Sequence, residues 1–377
     1  MSDTAPTQRR VLIAERRLPA YRVPFFDALR ERLARSGIAL SLAHGEPTDA
    51  EQAQHDEGQL PWAQRLPTTY LGRLCWQPFS TQGFDLVVIG HENRLLFNHW
   101  LCLRPRRPAL AYFGHGTNFA SQAPNALRER FKRFTARRAE AWLAYTEISA
   151  TRLRQAGVRA ERITVVNNAI DGAELSAQLA CIDANARAQA QTAMGLTPGK
   201  TALFIGSLYA GKRIDWLLEA AALCASADAQ FRLIVVGDGA LAPLLRAAVA
   251  QHPRWLTWRG ACHGPERAPL LALADVLLLP ASVGLAILDG FAAGLPLIST
   301  TAPGHGPEIA YLDDGVNGLL TPPNASMYAT AIQALLGDPA RLARMRAAAR
   351  ASAAQYTLAA MVERFARGLE AALAARP

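Results

Sequence analysis

Cysteine is scarce in this chain and follows no recognisable pattern. The 377 residues include five cysteines, and no two of them form a Cys-x-x-Cys pair. An odd number of widely scattered cysteines is neither a disulfide framework nor a structural zinc site. We therefore expect reduced cysteines and a cytosolic protein.

The chain also lacks an apolar stretch suited to a signal peptide or a membrane span. The N-terminal MSDTAPTQRR is followed by only a short apolar run before further charged residues. The long apolar window 274–298 is broken by Pro280 and Pro296 and contains two aspartates. Acids at mid-membrane are costly, and a signal peptide needs a longer apolar core. We expect neither feature.

Several motifs for catalysis and metal binding are missing. The sequence has no HExxH, no GxxxxGK[ST], no GxSxG and no GxGxxG after its first apolar run. It also lacks an Asp-x-Asp pair that could hold a metal–nucleotide complex. These absences argue against zinc peptidases, P-loop NTPases and α/β-hydrolases. Phosphate chemistry would then depend on Lys, Arg and backbone dipoles, and we expect neither a metal nor a cofactor.

Acidic residues are the minority charge. The 31 Asp and Glu stand against 40 Lys and Arg, which gives a net charge of +9. Such a surplus favours anionic partners, whether nucleic acid, anionic lipid or a phosphorylated substrate. No nucleic-acid-reading motif accompanies the charge, so we do not expect a nucleic-acid partner.

Short apolar runs alternate with helical patterns along the whole chain. The candidate strands include residues 11–14, 39–43, 86–89, 109–113, 141–144, 163–166, 202–205, 231–236, 256–258 and 276–279. This alternation predicts βαβ units and an α/β fold with parallel sheets. The length indicates more than one domain. We predict a first domain at 1–172, a linker at 173–198, a second domain at 199–355 and a final amphipathic helix at 356–377.

Residues 276–308 have the pattern strand, turn, helix, turn, strand. In parallel sheets, ligands bind at the carboxyl ends of strands, against the N-termini of the following helices. The backbone N–H groups of Ser282–Leu285 therefore favour an anionic ligand. Most strand–turn–helix units bind nothing. The pattern alone therefore leaves two interpretations open, an anion-binding site and a turn without a ligand.

Three further turns follow predicted strands. The turn Gly206–Lys212 could bring its lysine to a diphosphate, with Gly206 allowing close approach of the backbone. The segment Gly114–Gly116 places His115 at a strand end. The third turn, Gly237–Gly239, is an ordinary βα turn when taken alone. Each has a structural alternative, because a lysine at a helix start is usually just solvated and a lone histidine is more often structural.

Residues 126–138, ALRERFKRFTARR, form a helical pattern that is strongly basic. Leu127, Phe131 and Phe134 fall on one stripe, and six basic residues stand against a single Glu. Such a helix suits an anionic membrane surface. Alternatively, the stripe is core and the charges form a solvated face. The basic residues that we assign to membrane or acceptor binding are Arg128, Arg130, Lys132, Arg133 and Arg137.

Six segments between Ala202 and Leu320 follow one another in a family-specific order. They are FIGSLYAGKRIDWLLEAA, LIVVGDGAL, WLTWRGA, ADVLLLPAS, LDGFAAGLPLIST and GPEIAYLDDGVNGLL. Together they resemble the retaining nucleotide-sugar glycosyltransferases of family 4 (group 1). In the first half, LPAYRVPFFDALRERL, YFGHG and VVNNAID look like the acceptor domains of members that build surface polysaccharides. The resemblance implies a GT-B fold: two Rossmann-like, doubly wound domains facing each other across a cleft, with the final helix packing back on the first.

The resemblance also implies roles for individual residues. Lys212 would meet the donor diphosphate, Asp289 the donor ribose, and His115 the transferred sugar. Lys212 and His115 would then be the catalytic residues. Backbone contacts to the donor are implied for Gly206, Gly260, Ala261, Gly284 and Leu285, with Gly260 and Ala261 at the nucleobase.

Three departures from the family pattern stand out. Ala281 occupies the first position of the Glu-x7-Glu pattern, and the shorter Asp289 occupies the second. Ser207 stands where an Arg is common, and Leu18–Arg22 replaces a glycine-rich loop. Losing a buried charged contact to the sugar weakens transition-state binding unless another group replaces it.

We expect His305 or Glu308 to contact the sugar in place of the missing Glu. The expected function is metal-independent, retaining transfer from a nucleoside-diphosphate sugar to a hydroxyl of a lipid-linked glycan in cell-surface polysaccharide synthesis. The enzyme would be cytoplasmic, at the inner face of the membrane. One alternative is a catalytically impaired homologue that binds the donor as a partner subunit. Another, an epimerase of the same fold, would need further carboxylates, which the expected motif lacks.

Overall fold

The structure is a computed structural model that describes residues 8–52, 56–116, 126–262 and 264–375. Contacts between Cα atoms divide the chain into two compact units. The first comprises Met1–Asp171 and Leu358–Pro377, and the second is Gly172–Thr357. The cysteines are all free.

The first unit alternates strands with helices, as expected for βαβ connections. Its elements are β1 (Arg9–Glu15), α1 (Val23–Ala34), β2 (Ile38–His44), α2 (Asp49–Gln52), β3 (Gln64–Arg65), β4 (Thr69–Leu71), β5 (Leu74–Trp76), β6 (Leu86–Gly90), α3 (Leu96–Leu103), β7 (Ala109–Gly114), α4 (Ala126–Ala136), β8 (Ala141–Ala144), α5 (Glu147–Gln155) and β9 (Ile163–Val165).

The strands of the first unit form a parallel sheet in the order β3-β2-β1-β6-β7-β8-β9. Strands β4 and β5 stand apart as an antiparallel hairpin. The sheet is buried on both faces, which explains the continuous apolar runs of β1 and β6. Val11 and Leu86, which are paired across these strands, are both fully buried.

The second unit repeats the plan. Its elements are α6 (Ala173–Ala180), α7 (Ala184–Ala193), β10 (Thr201–Ile205), α8 (Ile214–Ala227), β11 (Arg232–Val236), α9 (Ala242–Gln251), β12 (Leu256–Trp258), α10 (Arg267–Leu273), β13 (Val276–Leu278), α11 (Ala286–Ala292), β14 (Leu297–Thr300), β15 (Gly318–Thr321), α12 (Ala325–Leu336) and α13 (Pro339–Gln355). The parallel sheet has the order β12-β11-β10-β13-β14-β15. Two parallel, Rossmann-like sheets confirm the predicted α/β class.

In each sheet the strand order reverses beside the first strand of the unit. The reversal falls between β1 and β6 in the first sheet and between β10 and β13 in the second. Connections leave such a pair in opposite directions and open a crevice at the carboxyl ends of the two strands. Ligand sites are therefore expected at these two places.

The last helix, α14 (Leu358–Ala374), belongs to the first unit. Its Phe365 ring lies 5.2 Å from that of Phe25 in α1 and 5.0 Å from that of Phe113 in β7, centroid to centroid. At Gly368 an added Cβ would come within 2.5 Å of the Leu143 side chain. The helix thus completes the core of the first unit.

The predicted linker at 173–198 is wrong. This segment forms α6 and α7 and belongs to the second unit. Arg187 of α7 donates from Nη2 to the carbonyl oxygen of Ala274 at 3.3 Å and to Asp275 Oδ1 at 3.2 Å. Asp275 is buried and also accepts from the backbone N–H of Thr201 at 3.1 Å. A buried carboxylate needs such partners, so these helices are tied to the sheet.

Candidate active site

The loops that follow β10 and β11 pack backbone against backbone. Gly206 and Gly237 adopt φ values of 150° and 141°. A Cβ at Gly237 would overlap the carbonyl oxygen of Gly206. Glycine is therefore required at this contact, because no side chain fits. The turn Gly237–Gly239 thus has a packing role that its sequence pattern did not reveal.

Lys212 ends a short 3-10 turn, Ala210–Lys212, in the loop after β10. Its side chain is buried, with 8% of the residue exposed. Nζ donates to the carbonyl oxygen of Ser282 at 2.6 Å, which links this loop to the one after β13. Burial lowers the pKa of Lys212 to about 8, partly opposed by the charge of Glu308. The ammonium therefore lies at the reversal point of the second sheet.

The turn Ser282–Leu285 is held in an unusual conformation. Ser282 has φ 49°, a value that non-glycine residues seldom adopt. The backbone N–H of Val283 donates to Nδ1 of His305 at 3.2 Å. At Gly284 an added Cβ would meet nothing within 4 Å, so open space lies in front of this backbone.

His305 supports that turn with both ring nitrogens. A backbone N–H can only donate, so Nδ1 accepts from Val283 and the proton resides on Nε2. Nε2 lies 2.8 Å from the carbonyl oxygen of Thr300, to which it donates. This arrangement requires a neutral ring, and burial, which lowers the pKa of His305, favours that form. The predicted sugar contact is therefore not supported for His305, because its polar atoms are already engaged.

Glu308 is the second residue that we predicted to replace the missing Glu. It lies in the 3-10 turn Pro307–Tyr311 and is buried, with 4% of the residue exposed. A Cβ at Gly306 would come within 2.6 Å of Glu308 Oε2, so glycine leaves room for this carboxylate. The Glu308 charge acts on Lys212, which places both groups in one electrostatic environment.

Asp289 of α11 has a side-chain partner that the sequence did not indicate. Its Oδ2 lies 2.9 Å from Nη1 of Arg267 in α10. Burial raises the pKa of Asp289, and the Arg267 charge opposes that shift. The aspartate that we assign to the donor ribose is thus held in place by an arginine 22 residues earlier.

The segment after β12 joins the same edge of the sheet. Gly237 donates its N–H to the carbonyl oxygen of Gly260 at 2.6 Å. The indole Nε1 of Trp258 donates to the carbonyl oxygen of Gly237 at 2.9 Å. Ala261, which follows, is exposed. Gly260 and Ala261 therefore lie at the carboxyl end of β12, where the nucleobase contact was predicted.

Two of the departures from the family pattern differ in their surroundings. Ala281 is almost fully buried, with 2% of the residue exposed. Ser207 is exposed in the loop after β10. The methyl group of Ala281 cannot make the charged contact that the family resemblance implies for a Glu at this position.

In the first unit, His115 follows β7 and its ring lies 4.4 Å from the ring of Tyr145. The residue is exposed at its surface, although the surrounding protein still desolvates the ring. Desolvation of the ring lowers the pKa of His115 to about 4; the charge of Glu92 opposes this shift, and that of Arg22 adds to it. The imidazole is neutral at pH 7 and can donate or accept a hydrogen bond.

Helix α4 differs from its prediction at Lys132. This side chain is buried, so it does not belong to an exposed basic face. Long lysine side chains can be buried along their methylene stems, which the charge pattern alone does not reveal. Arg130, Arg133 and Arg137 are exposed, as predicted. The side chains of Arg128 and Leu127 lie outside the described residues.

The aromatic residues of α4 are exposed as well. Phe131 and Phe134 are 39% and 45% exposed, so the interpretation of this stripe as core is wrong. Within the described ranges, no group of three or more His, Cys, Asp or Glu side chains could hold a metal ion. No helix in that part of the chain is long and apolar enough to cross a membrane.

Binding of a phosphate-bearing ligand at Lys212 is expected to weaken as the pH rises through about 8. Burial lowers this pKa, so the charged form predominates below that pH and is lost above it. If only the charged form binds, affinity for a nucleoside diphosphate falls about tenfold between pH 7 and pH 9. Calorimetric titration at several pH values measures this. In Lys212→Arg, which stays charged, any remaining binding should not show the fall.

Two family models match this chain. The family model "Glycosyl transferases group 1" matches residues 199–338, and "Glycosyltransferase Family 4" matches residues 24–174. Alpha-D-kanosaminyltransferase of Streptomyces kanamyceticus is 28% identical over 268 residues, 65% of this chain and 66% of that protein. D-inositol 3-phosphate glycosyltransferase of Jonesia denitrificans is 30% identical over 203 residues, 49% of this chain and 46% of that protein. The alignments thus span about half to two thirds of the relatives' lengths.

Solved structures show the same fold. The Anabaena protein Alr3699/HepE, crystallised with UDP, superimposes with a TM-score of 0.71 at 19% identity. The match covers 96% of this chain and 99% of the Anabaena chain. Family models match most of both Rossmann-like units, and the structural match extends over nearly the whole chain. The chain therefore belongs to glycosyltransferase family 4 (group 1) and has the GT-B fold.

Proposed function

We propose that the protein transfers a sugar from a nucleoside-diphosphate donor to a hydroxyl group of a glycan acceptor, with retention at the anomeric carbon. The observation that carries the proposal is the Lys212 ammonium, buried at the reversal point of the second sheet and bonded to the turn that contains Gly284. A buried cation beside open backbone suits a diphosphate. The relationship to kanosaminyl and inositol phosphate glycosyltransferases supports sugar transfer.

Departure of the diphosphate is the step that Lys212 would assist. An ammonium group has three donors, and Ser282 takes one of them. The other two are available for phosphate oxygens, where negative charge grows as the glycosidic bond to the sugar breaks. Stabilising this charge lowers the barrier without requiring a protein nucleophile. We propose that Lys212 and the backbone at Gly284 and Leu285 carry this role in place of a metal.

We propose the remaining donor contacts for residues of both units, as the family resemblance implies them. We assign Asp289, fixed by Arg267, to the ribose, and the segment Gly260–Ala261 to the base. Uridine is the first base to test because a structural neighbour binds UDP. His115, neutral at pH 7, is assigned to the transferred sugar. The departing phosphate would take the proton of the attacking acceptor hydroxyl.

Ala281 leaves the contact to the transferred sugar to another residue. Glu308, buried within the electrostatic reach of Lys212, is the replacement that we favour. The second candidate function, a donor-binding subunit without turnover, is favoured by Ala281 itself. Thermal-shift screening of nucleoside diphosphates and their sugars, followed by detection of released nucleotide with glycan acceptors, distinguishes the two. Stabilisation without transfer to any acceptor would support the subunit.

We further propose that the enzyme works at an anionic membrane surface, where a lipid-linked acceptor would be presented. Phe131 and Phe134 of α4 are exposed beside the basic residues of the same helix. Trp100 of α3 is also 46% exposed, and His99 of that helix contacts Phe131, with ring centroids 5.1 Å apart. Exposed aromatic rings among arginines suit the interface between lipid headgroups and acyl chains.

Replacing the exposed arginines and phenylalanines of α4 is expected to weaken binding to anionic vesicles. Replacing Arg130 and Arg133 by Gln should weaken binding to vesicles of phosphatidylglycerol and phosphatidylcholine about fivefold per arginine, since each is worth about 1 kcal/mol near such a surface. Phe131→Ser with Phe134→Ser should weaken binding further. Vesicle co-sedimentation measures both effects. Leu223→Ser with Leu244→Ser is the matched control, because these residues are exposed on the second unit. Equal binding by all variants would refute the membrane surface.

A further inference from the structure

A cavity lies at the reversal point of the first sheet. It has a volume of about 180 Å³ and its lining includes Glu15, Tyr21, Arg22, Glu92 and Tyr145. Glu15 is the last residue of β1, and Glu92 follows β6. The carboxyl ends of these strands form the crevice in which doubly wound sheets bind ligands. The lining includes part of Leu18–Arg22, the segment that replaces the glycine-rich loop of the family.

Arg22 is a buried cation with an unsatisfied hydrogen-bond donor. Only 6% of the residue is exposed. Nη2 donates to the hydroxyl of Tyr145 at 3.2 Å, whereas Nη1 is buried and has no hydrogen-bond partner among the described residues. The guanidinium carbon lies 5.4 Å from the centre of the Phe113 ring and 5.5 Å from that of Tyr145. A buried guanidinium with an unsatisfied N–H is costly unless a ligand accepts from it.

The other arginines that line the cavity are already bonded to carboxylates. Arg16 pairs with Glu51. Arg17 donates to Asp56 at 2.7 Å, and Arg94 donates to Glu92 at 2.7 Å. Arg22 forms no ion pair in the described part of the chain, although the charge of Glu15 acts on it. Among these arginines, Arg22 is therefore the one left to meet a ligand anion.

Glu15 opposes an anionic ligand less than a surface carboxylate would. Burial raises the pKa of Glu15 to about 7, although Arg22 and Arg16 act to lower it. Near neutral pH a large fraction of Glu15 is protonated and can donate to a sugar hydroxyl. Tyr21 is 46% exposed, and its ring, whose centre lies 5.3 Å from the guanidinium carbon of Arg22, offers an apolar surface at the same cavity. The lining thus combines a cation, a hydroxyl-binding group and an aromatic face.

We propose that this cavity binds the acceptor through an anionic substituent, a carboxylate or phosphate, that accepts a hydrogen bond from Nη1 of Arg22. The inference rests on the proposed transferase function, which it extends by naming an acidic acceptor sugar. The ring of that sugar packs on Tyr21, and one of its hydroxyl groups meets Glu15. An acidic acceptor is thereby preferred over a neutral one.

The preference is measurable without donor or turnover, so its failure is distinguishable from failure of the transferase proposal. Calorimetry or ligand-observed NMR with the full chain compares methyl glucoside, methyl glucuronide and glucose 6-phosphate. The acidic sugars are expected to bind at least tenfold tighter than methyl glucoside. Comparing the affinities for methyl glucuronide and glucose 6-phosphate shows whether the cavity prefers a carboxylate or a phosphate. Equal affinity for all three sugars, or preference for the neutral one, overturns the proposal.

Arg22→Gln is expected to remove the preference. Arg107→Gln is the matched control, because Arg107 is a largely buried arginine of the same unit that pairs with Glu140 at 2.8 Å. This control should keep the preference even if it lowers the melting temperature. Tyr21→Ala changes an exposed residue and should weaken binding of all three sugars while keeping the preference for acid. If Arg22→Gln does not fold, the wild-type and Tyr21→Ala results decide the question. Retention of the full preference in a folded Arg22→Gln protein overturns the proposal.

Discussion

Lys212→Ala is expected to lower kcat by a factor of about 100 to 1,000, the usual loss when one pre-positioned donor to a developing negative charge is removed. Nζ is fixed by the Ser282 carbonyl and shielded from bulk water. Its interaction with the leaving group is therefore little screened and needs no reorganisation during the reaction. Release of nucleoside diphosphate under saturating donor and acceptor measures the effect.

Lys200→Ala is the matched control for that substitution. Lys200 lies in the same unit, and its Nζ pairs with Asp228 at 2.7 Å on the surface. Such surface pairs contribute little, so turnover should stay within about twofold of the wild type. A Lys212→Ala protein that folds and turns over at the wild-type rate would show that another group stabilises the leaving diphosphate.

Phe365→Ala is expected to destabilise the first unit by about 3–5 kcal/mol, the usual cost of truncating a buried phenylalanine. The ring is fully buried between Phe25 and Phe113. Its removal leaves a cavity between α14, α1 and the sheet. The ion pairs of Arg32 with Glu363 and Glu370 are partly exposed and should not compensate.

Hydrogen exchange measured by mass spectrometry localises the Phe365→Ala effect, which matters because a two-unit chain need not unfold in one step. Amides of β7 and β8 should exchange faster, whereas those of β10 and β13 should not change. Met327→Ala is the control, since Met327 is 50% exposed on the second unit. Unchanged exchange in β7 and β8 would show that α14 does not stabilise the first sheet.

The sheets could be predicted from the sequence because strands that are buried on both faces appear as continuous apolar runs. Continuous apolar runs at 11–14 and 86–89 became neighbouring parallel strands, as the alternation of strands and helices indicated. The prediction of a linker at 173–198 was wrong because the Ala- and Gln-rich helices of this segment show no strong apolar stripe. A helix-start signal was nevertheless available: Asp183 caps α7 by accepting from the N–H of Ala186 at 2.7 Å.

Local motifs gave the positions of the candidate residues in the fold, whereas their contacts with residues far along the chain could not be predicted. Lys212 follows a strand in a glycine-containing turn, so its position could be read from the sequence. The pairing of Asp289 with Arg267 depends on how α10 packs beside α11, which no spacing rule gives. The hydrogen bonds of both His305 ring nitrogens with the backbone also depend on how distant segments pack, so the sequence did not predict them.

Lys132 and Arg22 show a further limit of the charge pattern. A basic residue in a helical pattern gives no sign of whether its methylene stem lies on the sheet or in water. Lys132 is buried, although its neighbours in α4 are exposed. In the sequence, the segment Leu18–Arg22 differs from the family pattern by replacing a glycine-rich loop. The cavity beside Arg22 depends on the fold and could not be predicted from that difference.

Calorimetric titration of UDP into the wild type and into Lys212→Ala tests most directly whether the second unit is a nucleoside-diphosphate site built around Lys212. UDP is expected to bind the wild type at least tenfold tighter than uridine, because the diphosphate meets the buried ammonium. In Lys212→Ala this advantage of UDP over uridine should largely disappear. Equal affinity of the wild type for UDP and uridine, or an advantage that survives in a folded Lys212→Ala protein, would contradict the account.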